Sequence, residues 1–237
     1  MNAPRILITG ASRGLGRALA FELSRRGARV ALVARHAVDL DATVAALRAA
    51  GGEAHGLVGD VGAKDDAHRI VGAAAAALGA VDVLVHNAST LGPLPMPLLL
   101  DTACEDLAAV LETNLVGPFR LTKIVAGAMA LRGAGTVLFV SSDAATSAYP
   151  QWGAYGVSKA AADHLMRVWS EELRARGVRF LSVDPGEMDT QMHADALPDA
   201  DRATLARPED VARRVADALG DAARFPSGVR FAAQEVL

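Results

Sequence analysis

Residues 6–23 read ILITGASRGLGRALAFEL. A short apolar run gives way to Gly10, Gly14 and Gly16 and then to apolar residues at helical spacing, which predicts a strand, a tight loop and a helix. Glycines in such a loop permit positive φ and close approach to the backbone. The helix that follows offers free N–H groups and the positive end of its dipole, a geometry suited to a pyrophosphate. The spacing is GxxxGxG rather than GxGxxG, and a glycine trio alone is also compatible with a plain tight turn. Its place at the first strand–helix junction favours anion binding.

The alternation continues along the chain. Strand-like runs at 5–9, 28–34, 53–58, 81–86, 135–142, 178–184 and 228–233 are separated by helical patterns at 14–26, 37–50, 64–78, about 101–131, 153–173 and, after Pro208, 209–219. Apolar strands separated by helices predict an α/β fold, a doubly wound, Rossmann-like parallel sheet covered on both faces. No composition shift, linker or repeat divides residues 1–237, which read as one domain. Two long irregular stretches, 88–100 and 185–207, follow strands, on the sheet edge where ligands of open α/β folds bind.

Composition narrows the function classes. A net charge of −3 and a pI near 6.1, with charges mixed rather than blocked, give no reason to expect nucleic acid or an anionic membrane as partner. Cys104 is the sole cysteine, so neither an intrachain disulfide nor a cysteine zinc site is expected, and its helical setting suggests a small buried hydrophobe. No metal site is expected. The first apolar run begins at residue 5, leaving no room before it for a signal peptide, and no run of eighteen apolar residues occurs. The expectation is a cytoplasmic protein.

At the end of the second strand a dinucleotide fold that binds NAD usually carries an acidic residue for the ribose 2′-hydroxyl. Here Ala34 is followed by Arg35, and no carboxylate comes before Asp39. A guanidinium suits a 2′-phosphate, and Arg13 in the glycine loop is a second clamp for it. Either arginine could equally be a solvated surface charge; together they favour NADP(H).

Tyr155 and Lys159 lie one helical turn apart in the alanine-rich run 153–173, so the two side chains are neighbours. A unit positive charge about 5 Å from a phenol, at an effective dielectric near 20, is worth roughly 3 kcal/mol, or about two pKa units. A phenol so tuned can act as general acid or base on a carbonyl or hydroxyl. An arbitrary pair at this spacing is more often a half-buried aromatic and a solvated charge.

With TGASRGLG at 9–16 and the Tyr155–Lys159 pair both present, the chain resembles the short-chain dehydrogenase/reductase family in its compact single-domain branch, over about residues 4–233. The resemblance extends to GDV at 59–61, HNAS at 86–89, TNLVG around Asn114, VSSDA around Ser142 and DPGEMDT across Pro185, Gly186 and Thr190. It implies a catalytic set of Asn114, Ser142, Tyr155 and Lys159. Tyr155 would protonate the developing alkoxide, Ser142 polarise the carbonyl, Lys159 lower the tyrosine pKa and hold the nicotinamide ribose, and Asn114 complete a proton relay. It implies cofactor contacts from Gly10, Ser12, Arg13, Gly14, Leu15, Gly16, Arg35, Asp60, Val61, Asn87, Ala88, Tyr155, Lys159, Pro185, Gly186, Met188 and Thr190. Asp60 would meet the adenine, and Thr190 with the Met188 backbone the nicotinamide amide.

Two departures stand out: His86 and Ser89 replace the first asparagine and the last glycine of the family's NNAG. His86 reads as a packed strand-end residue, and Ser89 as a change in the backbone beside the nicotinamide ribose. The expected lining, Leu91, Leu94, Met96, Trp152, Met188, Met192 and His193, is mostly apolar and suggests a small or medium carbonyl or alcohol compound of low charge as substrate. The family's habit of pairing its long helices, together with Leu165, Val168 and Trp169 beyond one core face, suggests a homodimer or homotetramer. A cofactor-binding regulatory or sensor protein on the same fold, without turnover, is the alternative.

Overall fold

The computed structural model describes residues 3–236. Seven strands, β1 (Arg5–Thr9), β2 (Arg29–Ala34), β3 (Ala54–Val58), β4 (Val83–His86), β5 (Gly135–Val140), β6 (Val178–Asp184) and β7 (Arg230–Ala232), pair in parallel in the order β3-β2-β1-β4-β5-β6-β7. Around them lie α1 (Gly14–Arg25), α2 (Ala37–Ala49), α3 (Asp66–Leu78), α4 (Cys104–Leu111), α5 (Gly117–Arg132), α6 (Gly153–Leu173), α7 (Gln191–Ala196) and α8 (Pro208–Gly220).

Successive strand side chains point to opposite faces, so one strand feeds two cores. Ile6 and Ile8 pack with Leu19 of α1 and with Val211 and Val215 of α8. Leu7 between them packs with Ile70 of α3, Leu121 of α5 and Met166 of α6. This two-sided burial is why the strands read as continuous apolar runs. The strand order reverses beside β1, where β2 and β4 depart on opposite sides, and a crevice opens there at the carboxyl ends.

Three expectations are corrected. The helical region expected at about 101–131 is interrupted: a 3-10 turn at Leu99–Asp101, then α4, then a π-helical turn at Glu112–Val116 that leads into α5. Pro118 has no N–H to give to the carbonyl of Asn114 four residues back, so a regular α-helix cannot pass through this point. The stretch 185–207 is not structureless, because it holds α7, a 3-10 turn at Arg202–Thr204 and a bridge between Met188 and Ala206. Cys104 opens α4 and is exposed, since in that helix only Val110 is fully buried. On α6, Val168 is exposed as expected, whereas Trp169 is taken up by contacts with Phe180 and Phe119, at ring-centroid distances of 6.2 and 5.9 Å.

Candidate active site

The crevice is a cleft of about 700 Å³ that runs from the β2 end to α6. Its floor is the loop between β1 and α1. Gly10 sits at φ +65°, and a Cβ on Gly16 would come within 2.4 Å of the Gly10 carbonyl and the Asn87 amide. Only glycine permits this close packing of the helix start on the loop. Asn87 pins the loop by donating to the carbonyls of Thr9 (3.0 Å) and Gly10 (2.9 Å), while Thr9 Oγ1 accepts from the main-chain N–H groups of Asn87 and Ala88 at 3.1 Å. At the far end Arg13 and Arg35 line the cleft; neither forms an ion pair among the described residues. Ala34, buried beside Arg35, offers no carboxylate.

At the near end α6 carries Tyr155 and Lys159, 7% and 5% exposed, in the expected juxtaposition. Lys159 Nζ donates to the Val140 carbonyl at 2.8 Å and lies 5.4 Å from the centre of the Tyr155 ring. Burial overrides the arithmetic of the charge pair. Desolvation pushes the phenol up to about 12, against the pull of its hydrogen-bonding contact with Ser142 and Ser89, and the charges of Asp143 and Asp184 add to the rise. Desolvation likewise lowers Lys159 to about 8, opposed by the charge of Asp163.

Ser142 follows β5 and caps a 3-10 turn, its Oγ accepting from Ala144 N at 3.2 Å and donating to Asp143 Oδ1 at 2.9 Å. Asn114, buried in the π turn, donates to Thr90 O and Ser158 Oγ, both at 2.9 Å. Its Oδ1 accepts from Thr90 N at 2.8 Å and Ser89 Oγ at 3.2 Å. That exhausts the amide's two donors and two acceptor sites, leaving none for a relay water. The Asn114 side chain therefore clamps the loop after β4.

Of the residues expected at the site, Gly10, Ser12, Arg13, Gly14, Leu15, Arg35, Asp60, Val61, Asn87, Ala88, Tyr155, Lys159, Pro185, Met188 and Thr190 line the cleft. Ser142 and Gly186 line an adjoining cavity of about 350 Å³, which Tyr155 shares with the cleft. Gly16 and Asn114 line neither and act through packing. Asp60 accepts from Gly62 N at 2.9 Å and lies well before α3, so it is not that helix's cap. Leu91, Trp152, Met188, Met192 and His193 line the smaller cavity as expected, but Leu94 and Met96 do not: Leu94 is half exposed and Met96 is packed away. His86 is buried as expected, its Nε2 2.7 Å from Thr122 Oγ1 and its Nδ1 without a hydrogen-bond partner among the described residues.

Two groups escaped the sequence. Asp163, 4% exposed, takes hydrogen bonds from Ser141 (2.7 Å), Ser182 and Arg230 Nε (2.9 Å). Arg230 in turn donates to the Ser142 carbonyl at 2.9 Å and to Asp184 at 3.2 Å. Asp163 was findable, being four residues beyond Lys159 on the same helix face. Arg230 reaches the site from β7 through the fold alone. Ser89, expected only to disturb the backbone, contributes its hydroxyl to Asn114.

Comparisons with known proteins show the family of the chain. The model of the short chain dehydrogenase family matches residues 4–201. A 3-oxoacyl-[acyl-carrier-protein] reductase of Synechocystis is 34% identical over 90% of this chain and 87% of its own length. Dehydrogenase/reductase SDR family member 4 of Bos taurus is 36% identical over 78% of this chain, a match that spans 65% of the bovine protein. Among solved structures, a protein of Shigella flexneri described as a short chain dehydrogenase complexed with NADP superposes with a TM-score of 0.91 at 28% identity, over 99% of this chain and 98% of that one. One of Escherichia coli, described in the same terms and complexed with NADPH, gives 0.91 at 29% identity with the same coverage. The chain belongs to the short chain dehydrogenase family, a family of oxidoreductases.

Proposed function

We propose that the protein is an NADP(H)-dependent oxidoreductase that moves a hydride between the nicotinamide and a carbonyl or secondary-alcohol carbon. The observation that carries this is the position of Tyr155, whose side chain closes the near end of the cleft and forms a wall of the smaller cavity. A proton donor there can reach a substrate oxygen while its carbon faces the cleft.

The residues fit the cofactor. The glycine cradle, which a Cβ would fill, and the α1 N-terminus suit a pyrophosphate, and Arg13 with Arg35 suits a 2′-phosphate. When bound, the nicotinamide supplies the hydride. With its pKa near 12 the phenol keeps its proton through the neutral range, the form a general acid needs in carbonyl reduction. Ser142 Oγ, held between Ala144 N and Asp143, would orient the substrate oxygen by turning its O–H from Asp143 to it. Lys159, fixed on the Val140 carbonyl, keeps a positive charge beside the phenolate that forms.

Tyr155→Phe removes the proton donor and preserves the ring's packing. Turnover should fall by at least the roughly 10²–10⁴ typical of general acid–base catalysis, with NADPH binding retained. Wild-type kcat in that variant excludes the mechanism.

A further inference from the structure

We propose that the substrate is a ketone or secondary alcohol bearing a positive charge, an amino ketone or amino alcohol. The inference rests on the oxidoreductase reading and specifies the occupant of its smaller cavity. At about 350 Å³ that cavity lies at the low end of the range for small-molecule pockets. Its wall holds Asp143, Asp184 and Glu187 but neither lysine nor arginine. The cofactor cleft is mixed in charge, with Arg13, Arg17, Arg35, Arg207 and Lys159 set among Asp39, Asp60, Asp189 and Glu209.

The three carboxylates are not equivalent. Asp184 is offset by Arg230 at 3.2 Å, and Glu187 points largely to solvent, 3.8 Å from His193 Nε2. Asp143 is held only by neutral donors: Ser142 Oγ at 2.9 Å, Ala144 N at 2.8 Å and Tyr149 Oη at 2.8 Å. No cation forms an ion pair with it among the described residues. Hydrogen bonds thus hold a solvent-facing carboxylate, without an ion-pair partner among the described residues, one residue from Ser142 at the cavity wall. Beside it Tyr149, Trp152 and Tyr155 follow one another edge to face, with ring centres 6.4 and 5.8 Å apart. A fixed carboxylate next to aromatic rings is the chemistry that recognises an ammonium group. A carboxylate- or phosphate-bearing substrate, such as a coenzyme A thioester, would meet like charge there.

The test measures binding, so that it does not depend on turnover. Tryptophan fluorescence of the NADPH-saturated protein is titrated in a Trp169→Phe background, which leaves Trp152 as the reporter, with 4-(aminomethyl)acetophenone, 4-methylacetophenone, 4-acetylbenzoate and acetoacetyl coenzyme A. The aminomethyl ketone should bind about tenfold tighter than the methyl ketone, between the few-fold of an exposed pair and the hundredfold expected near a dielectric of 20, and both anions more weakly than either. In Asp143→Asn the ratio of cation to neutral affinity should collapse toward one. Tighter binding of either anion by the wild type, binding of none of the four at millimolar concentration, or an unchanged ratio in a folded Asp143→Asn overturns the proposal. Selective binding of the amine without NADPH oxidation would instead overturn the oxidoreductase reading and leave the charge selectivity standing.

Discussion

Cofactor choice turns on one side chain at the end of β2. An aspartate in place of Ala34 would set a carboxylate beside Arg35, repel a 2′-phosphate and give the free 2′-hydroxyl of NADH an acceptor. Like charges about 5 Å apart at an effective dielectric near 20 cost roughly 3 kcal/mol, more than a hundredfold in affinity. The ratio of kcat/KM for NADPH over NADH should drop by that order in Ala34→Asp; an unmoved ratio makes Arg35 a mere surface charge. Lys159 gives a second test. Burial brings its ammonium down to about 8 and the Asp163 carboxylate opposes that fall, so kcat/KM for reduction should decline with an apparent pKa near 8 as Lys159 loses its proton. Asp163→Asn removes the supporting charge and should move this alkaline limb to lower pH. A limb that stays at 8 assigns it to another group. At this scale the sequence served well for residue types at fixed offsets, such as Tyr155 with Lys159 and Ala34 with Arg35. It could not supply burial, which reversed the expected direction of the tyrosine shift.

Elements explain why some site residues were legible and others were not. α6 places Tyr155, Lys159 and Asp163 on one face by its own period, and the β1–α1 junction announces itself through glycine. The Pro118 signal for the π turn was equally local, but a long apolar helical pattern masked it. β7 is different: three residues long, it delivers Arg230 to Asp163, Asp184 and the Ser142 carbonyl, contacts 46 to 88 residues away in sequence. No spacing rule reaches that far. Arg230→Gln would leave Asp163 buried without its cation, at a cost of about 3–5 kcal/mol in stability, and would release the Ser142 backbone. The expected result is a lower melting temperature and a kcat reduced by about tenfold or more, with KM for NADPH little changed because the cleft lining excludes Arg230. Arg230→Lys keeps the charge but loses the fork and should recover stability better than turnover. Unaltered kcat in Arg230→Gln would make this contact purely structural.

For the molecule as a whole, the architecture was readable because strand runs apolar on both faces admit only a covered parallel sheet, and the order of the elements then fixes where the crevice opens. The paths of 88–98 and 187–207, and with them the cavity wall, depended on contacts that local pattern does not encode. Acid stability is a property of the same scale. His86 is buried with Thr122 as its one hydrogen-bond partner among the described residues, and desolvation holds its pKa at about 3, below the roughly 6.5 of an unfolded chain. Below pH 6.5 the unfolded chain therefore takes up a proton that the folded one refuses. Stability is lost as the pH falls, at about 1.4 kcal/mol per unit, or roughly 2 kcal/mol by pH 5. In His86→Asn this loss should vanish, so the gap in unfolding free energy between wild type and variant should shift by about that amount in the variant's favour between pH 7 and pH 5. Urea denaturation at the two values measures it, and a constant gap would show that His86 does not titrate on unfolding.

The parallel sheet carries one more consequence, for descent. Every strand ends at the same edge, so the segments that line the cleft and the cavity hang from a common frame. Exchanging Asp143, Met192 or His193 would redraw what the cavity admits without touching Leu7, Ile8 or Phe180. Such a chain can drift from one substrate to another by small steps at its rim, each variant folding as its parent did.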